Sequence, residues 1–276
     1  MARLALAKLH GLGNDFLVLI DWADRQRLGP ATVRALCDRR HGVGADGILR
    51  ALAPRDGGDV RMELANADGT PAEMSGNGIR CLVVAILDAG LLAGPVLTVE
   101  TAAGPRRVTV HPDGAMVSVA MGRVRLGPET ASPLAGRRAC RASVGNPHLV
   151  LLGAPEDGAD IRVVGPRLER AHPGGVNVEL VAPDRAGGLV LAVWERGAGV
   201  TRACGTGSCA AAAAARRWGV VGPRVLVRNP GGVLRVDLAG EDLDAPDAIL
   251  TGPVRRVATV EVELGDLTGP GDPAPV

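Results

Sequence analysis

The sequence predicts an α/β (α+β) fold of two pseudo-symmetric domains that arose by internal duplication, each a mixed sheet packed around a central helix. Three matches indicate the duplication. GNDFLV at 13–18 returns as GNPHLV at 145–150, and SGNG at 75–78 returns as CGTG at 204–207. Asn66, nine residues before Ser75, is matched by Glu195, nine residues before Cys204. The offsets are 132, 129 and 129 residues, and their agreement in the same order indicates a repeated unit.

Patterning along the first half predicts its elements in order. Apolar alternation predicts a strand at Arg3–Leu9, and the continuous apolar run Phe16–Ile20 predicts a buried strand. The segment His10–Asp15 between them is predicted to be a loop. A helix is predicted over Pro30–Arg40, with proline in its first turn and Gly42 as its stop signal. The remaining elements are strands at 48–53, 60–65, 96–101, 106–111 and 116–120, a turn at 66–69 and an apolar helix from 76 to about 88.

The repeat also sets the expected domain limits. The N-terminal half takes residues 1–121 plus about 255–264, the C-terminal half takes 122–254, and 265–276 are expected to form a disordered tail. If the halves face each other, the N-termini of their central helices converge on one cleft. We expect the active site in that cleft.

The stretch TRACGTGSCAAAAAA at 201–215 carries the strongest chemical signal. Alanine is the best helix former, so a helix is predicted from near Thr206 to about Trp218, with Cys204 at its N-terminus. The positive end of a helix favours an anion, so we expect the Cys204 thiol to have a lowered pKa. Glycines beside it let backbone N–H groups approach a carboxylate.

Composition excludes several classes of protein. Hydrophobic residues make up 46% of the 276 residues, and 31 basic side chains balance 30 acidic ones, so neither nucleic acid nor a membrane surface is an expected partner. The odd count of 5 cysteines without close pairs, and the lack of a long apolar run, suit a cytoplasmic protein. No spacing typical of a metal site occurs, so no metal is expected.

Five motifs, in order and over nearly the whole chain, resemble the diaminopimelate epimerase family. They are LHGLGNDFLVLID, ANADGTPAEMSGNGIRC, VGNPH, GVNVE and ERGAGVTRACGTGSCAAA. The resemblance implies interconversion of LL- and meso-2,6-diaminopimelate, for lysine and peptidoglycan biosynthesis, by removing an α-proton and returning one on the opposite face. It implies no cofactor and a homodimer. Pyridoxal phosphate would also need a Schiff-base lysine, and Lys8 is the sole lysine of the chain.

The resemblance also assigns the site. Cys204 is one catalytic base, and His148 and Glu195 lie beside the catalytic pair and tune its proton affinity. Backbone at Gly76-Asn77 and Gly205-Thr206 binds the carboxylate at the reacting carbon. The side chains expected on the rest of the substrate are Asn14, Asn66, Asn146, Asn177, Glu195 and Arg196.

Ser75 departs from the family, which has its other catalytic cysteine there. A serine hydroxyl is not ionised near neutral pH without a strong neighbouring base, and serine is also a favoured helix N-cap. Cys81 is no substitute, because six residues along a helix place it about 9 Å away and turned through roughly 240°. Three explanations stay open: a Cys→Ser variant, a lineage in which Ser75 or its bound water transfers the proton, or one-base chemistry.

The residue at position 47 and the remaining histidines also bear on the site. The family often has glutamine where Gly47 stands, so one substrate contact is expected to be missing. His10, His111 and His172 are expected to be structural or exposed, in contrast to His148. Two alternatives to the epimerase are kept: a racemase of another amino acid, and a binding protein that has lost catalysis.

Overall fold

The structure is a computed structural model that describes residues 3–112, 114–134, 136–153 and 159–266. The chain separates into two compact units, one of residues 1–117 with 253–276 and one of residues 118–252. None of the helices in the described ranges is long and apolar enough to cross a membrane.

The first unit is built of strands around a buried helix. Its elements are β1 (Arg3–Gly11), β2 (Asn14–Ile20), α1 (Pro30–Cys37), β3 (Gly47–Leu52), β4 (Val60–Asn66), β5 (Pro71–Ala72), α2 (Gly76–Asp88), β6 (Val96–Glu100), β7 (Arg106–Val110) and β18 (Arg255–Glu263). The last strand returns to pair antiparallel with β1. A 3-10 turn follows at Leu264–Asp266, so residues 265 and 266 of the expected tail are ordered. Residues 267–276 of that tail lie outside the described ranges.

The second unit has the same order of elements. After β8 (Met116–Arg123), which runs across the limit of the units, come β9 (Arg125–Thr130), β10 (Arg138–Ser143), β11 (Pro147–Leu152), α3 (Ile161–Arg170), β12 (Asn177–Pro183), β13 (Leu189–Glu195), β14 (Gly199–Val200), α4 (Gly205–Arg217), β15 (Arg224–Asn229), β16 (Gly232–Ala239) and β17 (Asp247–Pro253).

Strand register confirms the duplication at the level of single residues. The parallel pair β2–β3 aligns Phe16 with Gly47, and the parallel pair β11–β12 aligns His148 with Asn177. Farther along, β4–β6 aligns Val60 with Val99, and β13–β15 aligns Leu189 with Val227. The equivalent residues are 132, 130, 129 and 128 positions apart in the sequence, so positions in one unit have structural equivalents in the other.

The central helices are buried because their sequences leave no polar face. In α4, every residue from Gly205 to Ala215 is buried, and the alanines let strands approach the helix closely from several sides. In α2, ten of the thirteen residues are buried, including the arginine Arg80. Each central helix therefore has its N-terminus fixed by the surrounding strands, which is what positions the residue at its start.

The predicted elements are confirmed with local differences. The predicted loop at 10–15 is a tighter hairpin, because Leu12 and Gly13 both take positive φ (58° and 85°) and let the strands run to Gly11 and from Asn14. Helix α1 ends at Cys37 and not at Arg40, since the Asp38 side chain accepts hydrogen bonds from the backbone N–H groups of the next turn.

Candidate active site

Cys204 is the N-cap of α4. Its backbone is extended (φ −121°, ψ 116°), and its Sγ accepts a hydrogen bond from the backbone N–H of Gly207 at 3.3 Å. Thr206 Oγ1 lies 3.5 Å from the sulfur. The Cys204 carbonyl accepts from Ser208 Oγ at 2.8 Å, and its N–H donates to Asn229 Oδ1 at 3.4 Å. These bonds fix the thiol at the first turn of the helix.

The expected lowering of the Cys204 pKa is wrong. Burial raises the pKa of the thiol well above 9.0, and the nearby carboxylates of Glu195 and Glu179 raise it further. The hydrogen bonds from Thr206 and Gly207 act in the opposite direction and do not compensate. The helix N-terminus favours a thiolate, but desolvation and two negative charges outweigh it, so Cys204 rests as a thiol.

Glu195 ends β13 on the same side of the unit. Thr201 donates a short hydrogen bond from Oγ1 to Glu195 Oε1. Burial raises the pKa of the Glu195 carboxyl, while Thr201 and Cys204 offset part of that effect by hydrogen bonding. Of the predicted residues, Cys204 and Glu195 are therefore in direct electrostatic contact.

His148 and Asn146 form a second group beside the thiol. His148 is 1% exposed, its Nδ1 lies 2.6 Å from Glu179 Oε1, and its Nε2 lies 2.9 Å from Asn146 Oδ1. Asn146 Nδ2 donates in turn to Thr206 Oγ1 at 3.4 Å. A continuous set of contacts thus runs from Glu179 through the predicted residues to Cys204.

Asn177 organises the loop that carries Arg196. Its Nδ2 donates to the carbonyl of Pro147 at 2.8 Å, and its Oδ1 accepts from the backbone N–H of Arg196 at 2.9 Å. The Arg196 side chain is exposed and donates to the carbonyl of Gly174 at 3.3 Å. Asn177 is buried, so it ties two strand ends together.

Ser75 is the N-cap of α2 and is the structural equivalent of Cys204. Its backbone is likewise extended (φ −139°, ψ 121°), and its Oγ accepts from the backbone N–H of Gly78 at 3.0 Å. The capping role suggested by the sequence is confirmed. The Glu179 and Glu195 positions of the second unit correspond to Leu49 and Asn66 here, so neither equivalent supplies a carboxylate to Ser75.

Asn14 and Asn77 bond to each other in the first unit. Asn77 Nδ2 donates to Asn14 Oδ1 at 2.9 Å, and Asn14 Nδ2 donates to Asp46 Oδ2 at 2.8 Å. Arg80 donates to Asn77 Oδ1 at 2.8 Å and to the carbonyl of Gly76 at 3.1 Å. The bond between Asn14 and Asn77 is the counterpart of the one between the equivalent residues Asn146 and Thr206.

Asn66 and Gly47 face each other across β3 and β4. Asn66 is exposed, and its Nδ2 donates to Thr70 Oγ1 at 3.1 Å. A Cβ at Gly47 would lie 2.7 Å from the carbonyl oxygen of Ala65 and 3.3 Å from the ring of Phe16. A glutamine at this position would therefore need the neighbouring strand to shift.

Sequence reasoning missed Glu179, Thr201 and Asp46. Glu179 stands inside the GVNVE motif, in the buried strand β12, and a charged residue within an apolar run was the signal that could have identified it. Thr201 lies six residues after Glu195 in the motif that follows. No local sequence feature identified Asp46 as a site residue, because its partner Asn14 is 32 residues distant in sequence.

Comparison with solved structures defines the fold. The chain matches a hydroxyproline epimerase from Agrobacterium vitis with a TM-score of 0.74 at 20% identity, covering 94% of this chain and 92% of that one. Likeness at this identity shows the fold, and the predicted two-domain duplicated fold is confirmed.

Sequence comparison defines the family. The diaminopimelate epimerase profile matches residues 6–127 and 140–257. The diaminopimelate epimerase of Desulforudis audaxviator is 42% identical over 274 residues, covering 92% of this chain and 97% of that protein. That of Thermobifida fusca is 42% identical over 281 residues, covering 96% and 100%. The chain belongs to the diaminopimelate epimerase family, as its motifs predicted.

Proposed function

We propose that the chain is an amino-acid epimerase that interconverts LL- and meso-2,6-diaminopimelate in lysine biosynthesis. The observation that carries this proposal is the full-length similarity to proteins named diaminopimelate epimerase, at 36–42% identity. The chemistry around Cys204 supports it, because a thiol at a helix N-terminus can exchange a proton with a carbon acid while backbone N–H groups hold a carboxylate.

The reaction needs a proton-transferring group for each face of the α-carbon. Cys204 serves one face, with Glu195 and His148 tuning its proton affinity. The resemblance assigns the other face to the position of Ser75. The Ser75 hydroxyl already accepts a capping hydrogen bond, and the repeat equates the carboxylates near Cys204 with Leu49 and Asn66. Proton transfer at Ser75 is therefore slow, and epimerisation is impaired but not abolished.

The substrate residues follow from the same resemblance. Gly76, Asn77, Gly205 and Thr206 are proposed to hold the carboxylate at the reacting carbon by their backbone. The side chains proposed for the rest of the substrate are Asn14, Asn66, Asn146, Asn177, Glu195 and Arg196. We also propose that the protein is a homodimer in the cytoplasm. Light scattering on the purified protein tests the dimer.

The test is α-proton exchange in D₂O, followed by NMR with LL- and meso-diaminopimelate. We expect slow interconversion by the protein as given and a rise of about 10²–10⁴-fold for Ser75→Cys, the usual range for an added general acid–base group. Absence of both binding and exchange with every isomer, in both proteins, would exclude the epimerase. Faster turnover of a mono-amino acid than of diaminopimelate would favour the alternative racemase.

A further inference from the structure

Glu179 and His148 form a buried polar pair that the fold itself does not require. Both side chains are fully buried at 0% exposure, and Nδ1 and Oε1 are 2.6 Å apart. The strand register equates His148 with Phe16 and Glu179 with Leu49 in the first unit. There the same two positions are filled by apolar side chains that are 4% and 0% exposed.

This contrast matters because burying ionisable groups is costly. Such groups lose their contacts with water on burial, and apolar replacements of similar volume often stabilise a protein. The same arrangement of strands packs well with phenylalanine and leucine. This packing therefore does not require a polar pair at the two positions.

The carboxylate of Glu179 lies against the first turn of α4. A Cβ on Gly207 would lie 2.8 Å from Glu179 Oε1 and 3.2 Å from Cys204 Sγ, so the carboxylate oxygen and the sulfur are within about 6 Å of each other. The second oxygen, Oε2, is buried and makes no hydrogen bond to the described part of the chain. This oxygen therefore has no donor among the described residues that would hold the side chain in place.

We propose that Glu179 is a positioning residue of the proposed epimerase reaction: it orients His148 through Nδ1 and keeps Cys204 protonated, so that Cys204 donates the proton that replaces the one removed from the opposite face of the α-carbon. A base on the opposite face, at the position of Ser75, takes the α-proton, and the electron pair of that C–H bond stays on the α-carbon. The S–H bond of Cys204 then breaks as a new C–H bond forms at that carbon. The electron pair of the S–H bond stays on sulfur as the thiolate. The direction of the Cys204 pKa, raised by burial and by both carboxylates, agrees with this role.

Three titratable side chains of the described strands surround the thiol. Glu179 on β12, Glu195 on β13 and His148 on β11 face it from the packed strands. A cavity of about 370 Å³ borders His148, and its lining includes the basic side chains of Arg125, Arg141 and His172. Replacing Glu179 removes a carboxylate that acts directly on the thiol and leaves the side chains of Arg125, Arg141 and His172 in place.

The test measures the thiol without substrate, so its failure is distinct from failure of the proposed function. Cys204 is alkylated with iodoacetamide between pH 7 and 10, and fragment masses of the tryptic peptide 203–216 separate it from Cys209. In Glu179→Gln the amide can still bond His148, but a like charge within about 6 Å is gone. We expect alkylation about tenfold faster below the midpoint and a profile shifted to lower pH.

Glu261→Gln is the matched control, because Glu261 is exposed and bonds only the surface residue Arg3 in the described contacts. Its alkylation profile should equal that of the parent. An unchanged or slower Cys204 rate in Glu179→Gln would overturn the proposal.

If Glu179→Gln does not fold, a second variant carries the two residues found at the equivalent positions of the first unit. This double variant is His148→Phe with Glu179→Leu. We expect this double variant to fold and to show the same faster alkylation. A folded double variant with the parent profile would equally overturn the proposal.

Discussion

The thiol state of Cys204 can be tested through stability at alkaline pH. Burial raises the pKa of Cys37 to about 12, of Cys81 to about 12 and of Cys140 to about 11, and it raises that of Cys204 well above 9.0. The chain has no tyrosine and one lysine, so thiols dominate its titration between pH 8 and 10.5. Above pH 9 the unfolded chain loses protons that the folded chain keeps.

The direction in which stability changes with pH follows from proton linkage. These thiols have folded pKa values raised above the unfolded value, so their stabilisation is complete below about pH 9 and is lost as pH rises towards the folded values. At pH 10 each thiol costs about 1.4 kcal/mol of stability, and the four together cost about 5–6 kcal/mol. That loss is comparable with the whole stability of many domains.

The assay is urea unfolding, followed by circular dichroism in reducing buffer at pH 8, 9 and 10. Cys204→Ala and the matched Cys140→Ala should each reduce the loss between pH 8 and 10 by about 1.4 kcal/mol. A free energy of unfolding that stays constant over this range would refute the account of buried thiols. A Cys204→Ala slope equal to that of the parent, with a reduced slope for Cys140→Ala, would show that Cys204 is a thiolate.

Two further predictions concern packing and acid stability. Gly207→Ala should lower the free energy of unfolding by about 1–2 kcal/mol and lower activity, since its Cβ would lie 2.8 Å from the Glu179 carboxylate. The control Gly78→Ala should be near neutral, because its Cβ would meet aliphatic carbons at 3.1 and 3.2 Å. Equal losses for the two variants in urea unfolding would contradict this prediction. For Asp15, burial raises the pKa but Arg39 and Lys8 lower it by more, leaving it below 3.8. Its stabilisation is present above pH 3.8 and lost as pH falls through the folded value, so Asp15→Asn should flatten the fall of Tm between pH 4 and 2; an unchanged fall would argue against the ion pairs.

Much of the fold was predictable because the two repeats share short local sequence patterns. Glycine positions and alternation identified most strands of the first half, and the alanine run placed α4 within one residue. Helix α3 was not predicted, since Gly165 and Pro166 interrupt its pattern. Shifting the range of α1 by the repeat offset predicts a helix at the position of α3. For this helix the duplication is therefore a better predictor than local helix propensity.

The site was predictable where a motif carries it, and not where contacts are distant in sequence. Cys204 follows from the helix start, but its proton affinity does not, because burial and the carboxylate of Glu179 are properties of the folded chain. The helix dipole alone predicted the wrong direction of the pKa. Long-range partners such as Asp46 with Asn14 are equally invisible before the strands are paired.

The most direct measurement is the exchange and inversion of diaminopimelate in D₂O by the protein and by Ser75→Cys, compared under the same conditions. We predict slow interconversion of the LL and meso isomers by the protein as given, and interconversion about 10²–10⁴-fold faster by Ser75→Cys. No faster inversion in a folded Ser75→Cys variant would contradict the assignment of the Ser75 position to proton transfer.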